Sequence, residues 1–150
     1  MSLTMTKNER EEFLAGLHVG MISIAEPERG PLTVPIWYGY EPGGELWIVT
    51  EGDSRKGRLL QKVDRFSLCA QTETLPYKYV SVEGPITSIG PSDIEEHERP
   101  MAHRYLNAEL GDRYIEATGG AEARSGSILV KMRPERWLTT DYSKQFSEPA

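Results

Sequence analysis

The order of short apolar segments and turns constrains the fold of this chain most strongly. Six segments have the apolar pattern and the turn boundaries of β-strands, namely residues 19–25, 32–40, 45–50, 66–72, 77–89 and 127–133. Strands and helices do not alternate along the chain, which argues against a parallel doubly wound sheet. The sequence therefore predicts a mainly β protein, a six-stranded antiparallel barrel with peripheral helices.

The second predicted strand shows a strict alternation of side chains. Ile36 belongs to an apolar set on one face of the strand, and Pro35 and Trp37 lie on the other face. Because Pro35 has no backbone N–H, one edge of this strand is predicted to be unpaired or to face a ligand. The strand at 32–40 is expected to form a hairpin with the strand at 45–50.

Helices are predicted at the N-terminus and between the last two strands. A capping box formed by Thr6 and Glu9 begins the first helix, and a second box, Ser92 and Glu95, begins a helical region that Pro100 divides. A further helix is expected over residues 111–118. No regular structure is predicted for two segments, a mobile loop at 119–126 and a polar tail after residue 137.

Length and charge limit the classes of function. With 150 residues the chain is expected to form a single domain, and its net charge of −6 argues against nucleic acid or an anionic membrane as partner. The single cysteine, Cys69, excludes an internal disulfide and has no neighbouring ligand for a metal. There is no apolar segment of membrane-spanning length and no secretory signal, so we expect a cytoplasmic protein.

A basic cluster directly follows the third strand. Ser54 is predicted to cap a helix whose first turn contains Arg55 and Lys56. The free N–H groups and the positive end of the helix dipole already lie there, so the cluster favours a bound anion such as phosphate. A solvated basic helix, partly neutralised by Glu51 and Asp53, is the alternative, and the cluster alone leaves both open.

Several segments together carry a family resemblance. They are Val34-Pro35-Ile36-Trp37-Tyr38, Leu46-Trp47-Ile48-Val49-Thr50, Ser54-Arg55-Lys56, Arg65-Phe66-Ser67-Leu68 and Tyr79-Val80-Ser81-Val82-Glu83-Gly84-Pro85. In this order and spacing they resemble the FMN-binding split-barrel family related to pyridoxamine 5′-phosphate oxidase. The Ser-Arg-Lys pattern is most similar to its actinobacterial flavin/deazaflavin oxidoreductase branch.

The resemblance implies a fold, an assembly and a cofactor. It implies a six-stranded split β-barrel of Greek-key type that forms a homodimer with two cofactor sites at the interface. The cofactor would be FMN, FAD or the deazaflavin coenzyme F-420. The candidate cofactor-binding residues are Pro35, Ile36, Trp37, Val49, Thr50, Ser54, Arg55, Lys56, Gln71 and Lys78. Core or dimer packing remains an alternative for Trp37, and an ordinary place on the barrel exterior remains one for Gln71 and Lys78.

No combination of nucleophile, base and orienting group is evident in the sequence, and no catalytic residue is predicted. This is compatible with flavin-type chemistry, in which the cofactor carries the hydride. The predicted function is an oxidoreductase that transfers a hydride between its cofactor and a small conjugated organic substrate. A non-catalytic protein that binds a flavin, deazaflavin or tetrapyrrole is the alternative. Vitamin B6 oxidation is not expected, because the tail at 141–150 lacks the substrate-binding Arg-Leu-His-type segment of pyridoxamine-phosphate oxidase.

Overall fold

The computed structural model describes residues 2–146. Its strands are β1 Gly20–Ile24, β2 Leu32–Ile36, β3 Leu46–Glu51, β4 Arg65–Gln71, β5 Lys78–Pro91, β6 Ser127–Met132 and β7 Arg136–Asp141. Its helices are α1 Lys7–Ala15, α2 Arg55–Leu60, a π-helix Ile94–Glu98, α3 Arg99–Leu106, α4 Ala108–Ala117, α5 Gly120–Ala123 and a 3-10 helix Tyr142–Phe146.

The strands form a curled antiparallel sheet. Six of them follow the order β2-β1-β4-β5-β6-β3, and β7 pairs with β5 beside this path. The 14-residue strand β5 joins the two halves, because its first part pairs with β4 and β7 and its last part pairs with β6. The β5–β6 register shifts between Ile86 and Ser88, where a bulge lets the strand bend. The predicted mainly β split barrel with peripheral helices is confirmed.

One predicted strand pair is wrong. Strand β3 does not form a hairpin with β2 but pairs with β6 over all six of its residues, whereas β2 pairs with β1. The two segments meet at one isolated bridge, in which the backbone N and O of Gly39 and Trp47 lie 2.9 and 3.0 Å apart. Tyr38 and Tyr40 are buried beside this bridge. Both side chains belong to the hydrophobic core, and the connection between β2 and β3 forms this single bridge in place of the predicted hairpin ladder.

The helical segment between β5 and β6 differs in detail from the prediction. Its N-cap is Asp93, whose carboxylate accepts a hydrogen bond of 2.8 Å from the N–H of Glu96, and not Ser92. The first five residues form a π-helix, and Pro100 in the first turn of α3 separates the two helices as predicted. The segment 119–126, predicted to be a loop, contains the short helix α5.

The C-terminal strand β7 lies where the sequence predicted a polar tail. Its polar side chains are held in place, since Thr139 accepts a hydrogen bond of 3.0 Å from the N–H of Met5 and Asp141 accepts one of 2.9 Å from Ser143. Both Thr139 and Asp141 are buried. The apolar alternation that usually marks a strand is therefore missing, which explains the error. The last residues of the predicted tail, 147–150, lie outside the described residues.

Apolar side chains of β1 to β6 fill the interior of the barrel. Ile22, Ile48, Leu68, Val82 and Val130 are fully buried there. Helix α1 covers one side of this core. No helix among residues 2–146 is both long and apolar enough to span a bilayer.

Candidate functional site

A cavity of about 340 Å³ lies between the barrel and the helical segment 94–126. Its volume falls in the range of about 300–1,000 Å³ that is usual for small-molecule sites. The lining residues are Pro35, Ile36, Trp37, Val49 and Lys56 from the barrel and α2, and Glu98, Met101, Tyr114, Ile115 and Arg124 from the helical segment. Half of the predicted site residues therefore meet at this cavity, and the helical segment supplies its other wall.

Aromatic side chains form one wall of the cavity. The Trp37 ring stacks on that of Tyr105 with centroids 5.1 Å apart and planes 3° apart, and Tyr114 lies 5.4 Å away at a tilt of 55°. The Tyr105 hydroxyl donates a hydrogen bond of 2.6 Å to the carbonyl of His18, which fixes α3 against the barrel. Trp37 is thus packed against a helix of its own chain and also lines the cavity, and its contact with a cofactor ring stays a prediction.

The start of α2 has the predicted cap. The Ser54 hydroxyl accepts a hydrogen bond of 3.0 Å from the N–H of Gly57 and donates one of 2.7 Å to the carbonyl of Glu51. The hydroxyl of Thr50 lies 3.4 Å from that of Ser54. Lys56 is half-buried in the cavity wall, burial lowers its pKa, and it forms no ion pair within residues 2–146. Lys56 is therefore a cation without a carboxylate counter-ion among the described residues.

The Arg55 side chain points in a different direction from that of Lys56, and unlike Lys56 it forms an ion pair within the described residues. Neighbouring residues of a helix are separated by about 100°, so the two side chains diverge. The Arg55 guanidinium forms an ion pair with Glu26 in the β1–β2 turn, and this contact lowers the pKa of the Glu26 carboxyl. Neither Glu51 nor Asp53 forms an ion pair with it in the described part of the chain. The neutralising carboxylate is therefore not one of those that the sequence suggested.

Two predicted residues, Gln71 and Lys78, lie away from the cavity. Gln71 ends β4 and is exposed on a second groove of about 680 Å³, which Thr33 and Cys69 also line. Lys78 begins β5 and faces Asp141 of β7 in the strand register. Within one copy of the chain, neither side chain belongs to the cavity wall.

The cavity wall also contains a buried ion pair that the sequence analysis missed. Arg124 Nε lies 2.9 Å from Glu98 Oε1, and the two side chains are 9% and 10% exposed. Ser92 donates a hydrogen bond of 3.0 Å to the other carboxylate oxygen, and Arg124 donates one of 3.3 Å to the carbonyl of Ile115. This pair is neutral as a unit, so the uncompensated charge of the cavity comes from Lys56.

The residues of the helical segment that line the cavity were not predicted from the sequence. Met101, Tyr114 and Ile115 belong to helices that were predicted only as peripheral, without an indication of which strands they cover. Arg124 lies between two glycine-containing pairs that indicated a loop. The apolar face of α4, with Ile115 buried, is the signal that could have directed attention to this wall. Among residues 2–146, no three His, Cys, Asp or Glu side chains converge as a metal site requires.

The strand order and the bend in β5 define a split β-barrel protein, and its cavity has the volume of a small-molecule site. A family profile described as pyridoxamine 5′-phosphate oxidase matches residues 6–141. The chain therefore belongs to the pyridoxamine 5′-phosphate oxidase family, as its segments suggested. A search of curated protein sequences finds no significant match.

Solved structures share the fold at low sequence identity. A conserved hypothetical protein of Mycobacterium tuberculosis is 20% identical, with a TM-score of 0.75 over 99% of this chain and 92% of that one. A protein named as an F-420 reductase is 20% identical, with a TM-score of 0.61 over 85% and 94%. An FAD-binding protein of Mesorhizobium loti is 17% identical, with a TM-score of 0.63 over 90% and 94%.

Proposed function

We propose that this protein binds FMN or the deazaflavin coenzyme F-420 and transfers a hydride between that cofactor and a small conjugated organic substrate. One observation carries the proposal: Lys56 is an uncompensated, half-buried cation in a cavity whose other walls are largely aromatic and apolar. Such a cavity fits a planar ring with an anionic tail. Family membership and the names of two structural neighbours, an F-420 reductase and an FAD-binding protein, support it.

The residues of the chain would bind and orient the cofactor. Residues 35–37 and Val49 would pack against its ring, while Met101 and Ile115 would exclude water from the opposite side. Lys56 would bind the phosphate together with the hydroxyl of Thr50, and Ser54 and Arg55 complete the set implied by the resemblance. The bound cofactor supplies the hydride chemistry, and the protein supplies its position.

We also propose a homodimer in which a second copy completes the site. Cross-strand neighbours form a row over the outer face of the sheet, in the order Pro35, Met21, Cys69, Ser81 and Leu138. Met21 is 40% and Leu138 is 65% exposed, so the face is partly apolar and uncovered in one copy. Pro35 belongs to the row and to the cavity wall. A second copy seated on this face would therefore adjoin the cavity, and we propose that Gln71, which lies on the same face of β4 as Cys69, reaches the site of the other copy.

A non-catalytic protein that stores or senses a flavin, deazaflavin or tetrapyrrole is the second candidate. The observation in its favour is the state of Glu98, the one carboxylate among the cavity-lining residues that the structure describes. It is bound to Arg124 and Ser92, so it is not poised to transfer a proton to a substrate. Turnover of enones, quinones and tetrapyrroles with the reduced cofactor separates the two functions.

The cofactor proposal is tested by comparing FMN with riboflavin, which lacks the phosphate. We expect FMN to bind more tightly, and Lys56→Ala to weaken FMN binding by about ten- to hundredfold, since a charged hydrogen bond contributes about 1–3 kcal/mol. Riboflavin binding should change little. Lys62→Ala is the matched control, because Lys62 is an exposed lysine just beyond α2. Equal affinity for FMN and riboflavin, or an unchanged FMN titration with Lys56→Ala, contradicts the proposed phosphate site.

A further inference from the structure

We infer that Glu26 sets the specificity of the anion site, because it neutralises Arg55 and competes with the phosphate of the ligand for that guanidinium. The inference rests on the proposed function, in which Arg55 and Lys56 bind a phosphate. It assigns a role to a residue of the β1–β2 turn, 29 positions before Arg55 in the chain.

The Glu26 carboxylate is placed as a fixed counter-ion. Its side chain is 16% exposed, against 53% for Arg55, and the turn is closed by a hydrogen bond of 3.3 Å from the N–H of Arg29 to the Glu26 carbonyl. The pKa of the Glu26 carboxyl is lowered, first by the hydrogen bond from Arg55 and also by the nearby charge of Arg29, against the opposing effect of burial. Glu26 is therefore anionic at neutral pH, and it already occupies part of the hydrogen-bonding edge of Arg55.

Because of this contact, Arg55 and Lys56 differ in how readily they can bind an anion. Lys56 is available in the cavity wall, whereas Arg55 is available only to an anion that displaces Glu26. A phosphate dianion forms bidentate, charge-assisted hydrogen bonds with arginine. A phosphate that is tethered to a ring already seated in the cavity also has a high effective concentration there. A small free anion has neither the tether nor the ring contacts, so Glu26 favours phosphorylated ring ligands over inorganic phosphate.

The test is Glu26→Gln, which keeps the size of the side chain and removes its charge. We expect FMN affinity to rise by about three- to tenfold, less than the effect of a fully formed charged hydrogen bond because Arg55 is half-exposed to solvent, while riboflavin affinity stays constant. Inorganic phosphate, titrated alone, should gain affinity by a larger factor than FMN, because it has no ring contacts that can bind it without Arg55. Glu26→Asp, which keeps the charge but shortens the reach, should give a smaller gain and serves as the second variant if Glu26→Gln folds poorly.

Two controls separate direct competition from general charge effects. Glu28→Gln removes an exposed carboxylate of the same turn that forms no ion pair with Arg55 in the described chain, so it reports the long-range contribution of one charge. In an Arg55→Ala background, Glu26→Gln should change FMN affinity no more than Glu28→Gln does, because the guanidinium over which the anions compete is gone.

The possible outcomes are distinct. Weaker FMN binding by Glu26→Gln would mean that Glu26 orients Arg55, and an equal gain with Glu28→Gln would mean that only net charge matters; either result overturns the inference. If the wild type prefers FMN to riboflavin but Glu26→Gln gains nothing, the proposed function stands and the role of Glu26 is wrong. If the wild type binds neither FMN nor coenzyme F-420, the proposed function fails and the inference fails with it.

Discussion

At the residue scale, Glu9 joins the two ends of the described chain. Its carboxylate accepts hydrogen bonds of 2.8 Å from the N–H of Thr6 and 2.7 Å from Lys144. The first contact completes the capping box of α1, and the second attaches the C-terminal 3-10 helix to that box. These contacts, with Lys144 contributing most, lower the pKa of Glu9 from 4.5 to about 2.

The direction of this shift predicts a pH-dependent stability. Because the folded pKa of Glu9 lies below its ordinary value, the unfolded chain binds more protons in the interval between them. The stabilisation is present above pH 4.5 and is lost as the pH falls toward 2. We expect Glu9→Gln to lower the thermal midpoint near neutral pH and to match the wild type near pH 2. Glu12→Gln, an exposed change in the same helix, is the control. A midpoint difference that persists unchanged at low pH would contradict this assignment.

Residue-level features were predictable where they depend on near neighbours in sequence. The Ser54 cap and the Thr6–Glu9 box follow from spacings of three residues, and both are confirmed. The pairing of Arg55 with Glu26 joins distant segments, and local charge pattern pointed instead to nearer carboxylates. Local spacing therefore identifies caps, whereas ion-pair partners depend on how the strands are arranged.

At the element scale, helices α3 and α4 form a tightly packed pair that makes one wall of the cavity. Gly111 of α4 faces α3 so closely that a Cβ atom there would lie 2.7 Å from the ring of His103 and 2.9 Å from the backbone of Ala102. Asp112 holds the pair together at its surface through contacts of 2.8 Å with Arg99 and 2.7 Å with His103. The position of the wall therefore depends on a glycine.

We expect Gly111→Ala to separate these helices. Overpacking of this kind typically costs about 1–3 kcal/mol, which lowers the thermal midpoint by several degrees in a domain of this size. FMN affinity should fall as well, because Met101 and Ile115 would move with the helices. The control is Gly90→Ala in β5, where a Cβ atom would meet nothing within 4 Å. If Gly111→Ala unfolds at the wild-type temperature and binds FMN normally, the α3–α4 contact does not fix the wall.

The positions of the strands were easier to predict than the way in which the strands pair. Alternating apolar residues marked β1, β4 and β6, and turn residues bounded them. The same pattern does not identify which edge a strand pairs with, and the short connection after Tyr40 favoured a hairpin that the Gly39–Trp47 bridge replaces. Strand β7 escaped detection because its buried side chains include Thr139 and Asp141.

At the scale of the whole molecule, one face of the sheet packs on the core and the other face is partly uncovered in a single copy. Along β1, Ile22 and Ile24 are buried in the barrel, while Met21, which precedes Ile22, is turned outward. Leu17 and Val19, which precede β1, are 61% and 53% exposed and line the second groove. One copy of the chain leaves this surface uncovered, and the surface continues to the cavity through the outer face of β2.

Our last prediction is that this face forms the homodimer. We expect the wild type to be dimeric by light scattering at micromolar concentration. Met21→Lys should raise the dimer dissociation constant by at least about tenfold, since two unpaired charges would be buried at a two-fold interface. FMN affinity should fall in parallel, because the cavity rim loses the second copy.

Leu110→Lys is the matched control, since Leu110 is 49% exposed on α4, away from this face of the sheet. It should leave both the dimer and FMN binding unchanged. A monomeric wild type would contradict the shared site and leave the cavity to be completed by α3 and α4 alone. Dissociation by Leu110→Lys but not by Met21→Lys would place the interface on the helical segment, and Gln71 would then have no route to the cofactor.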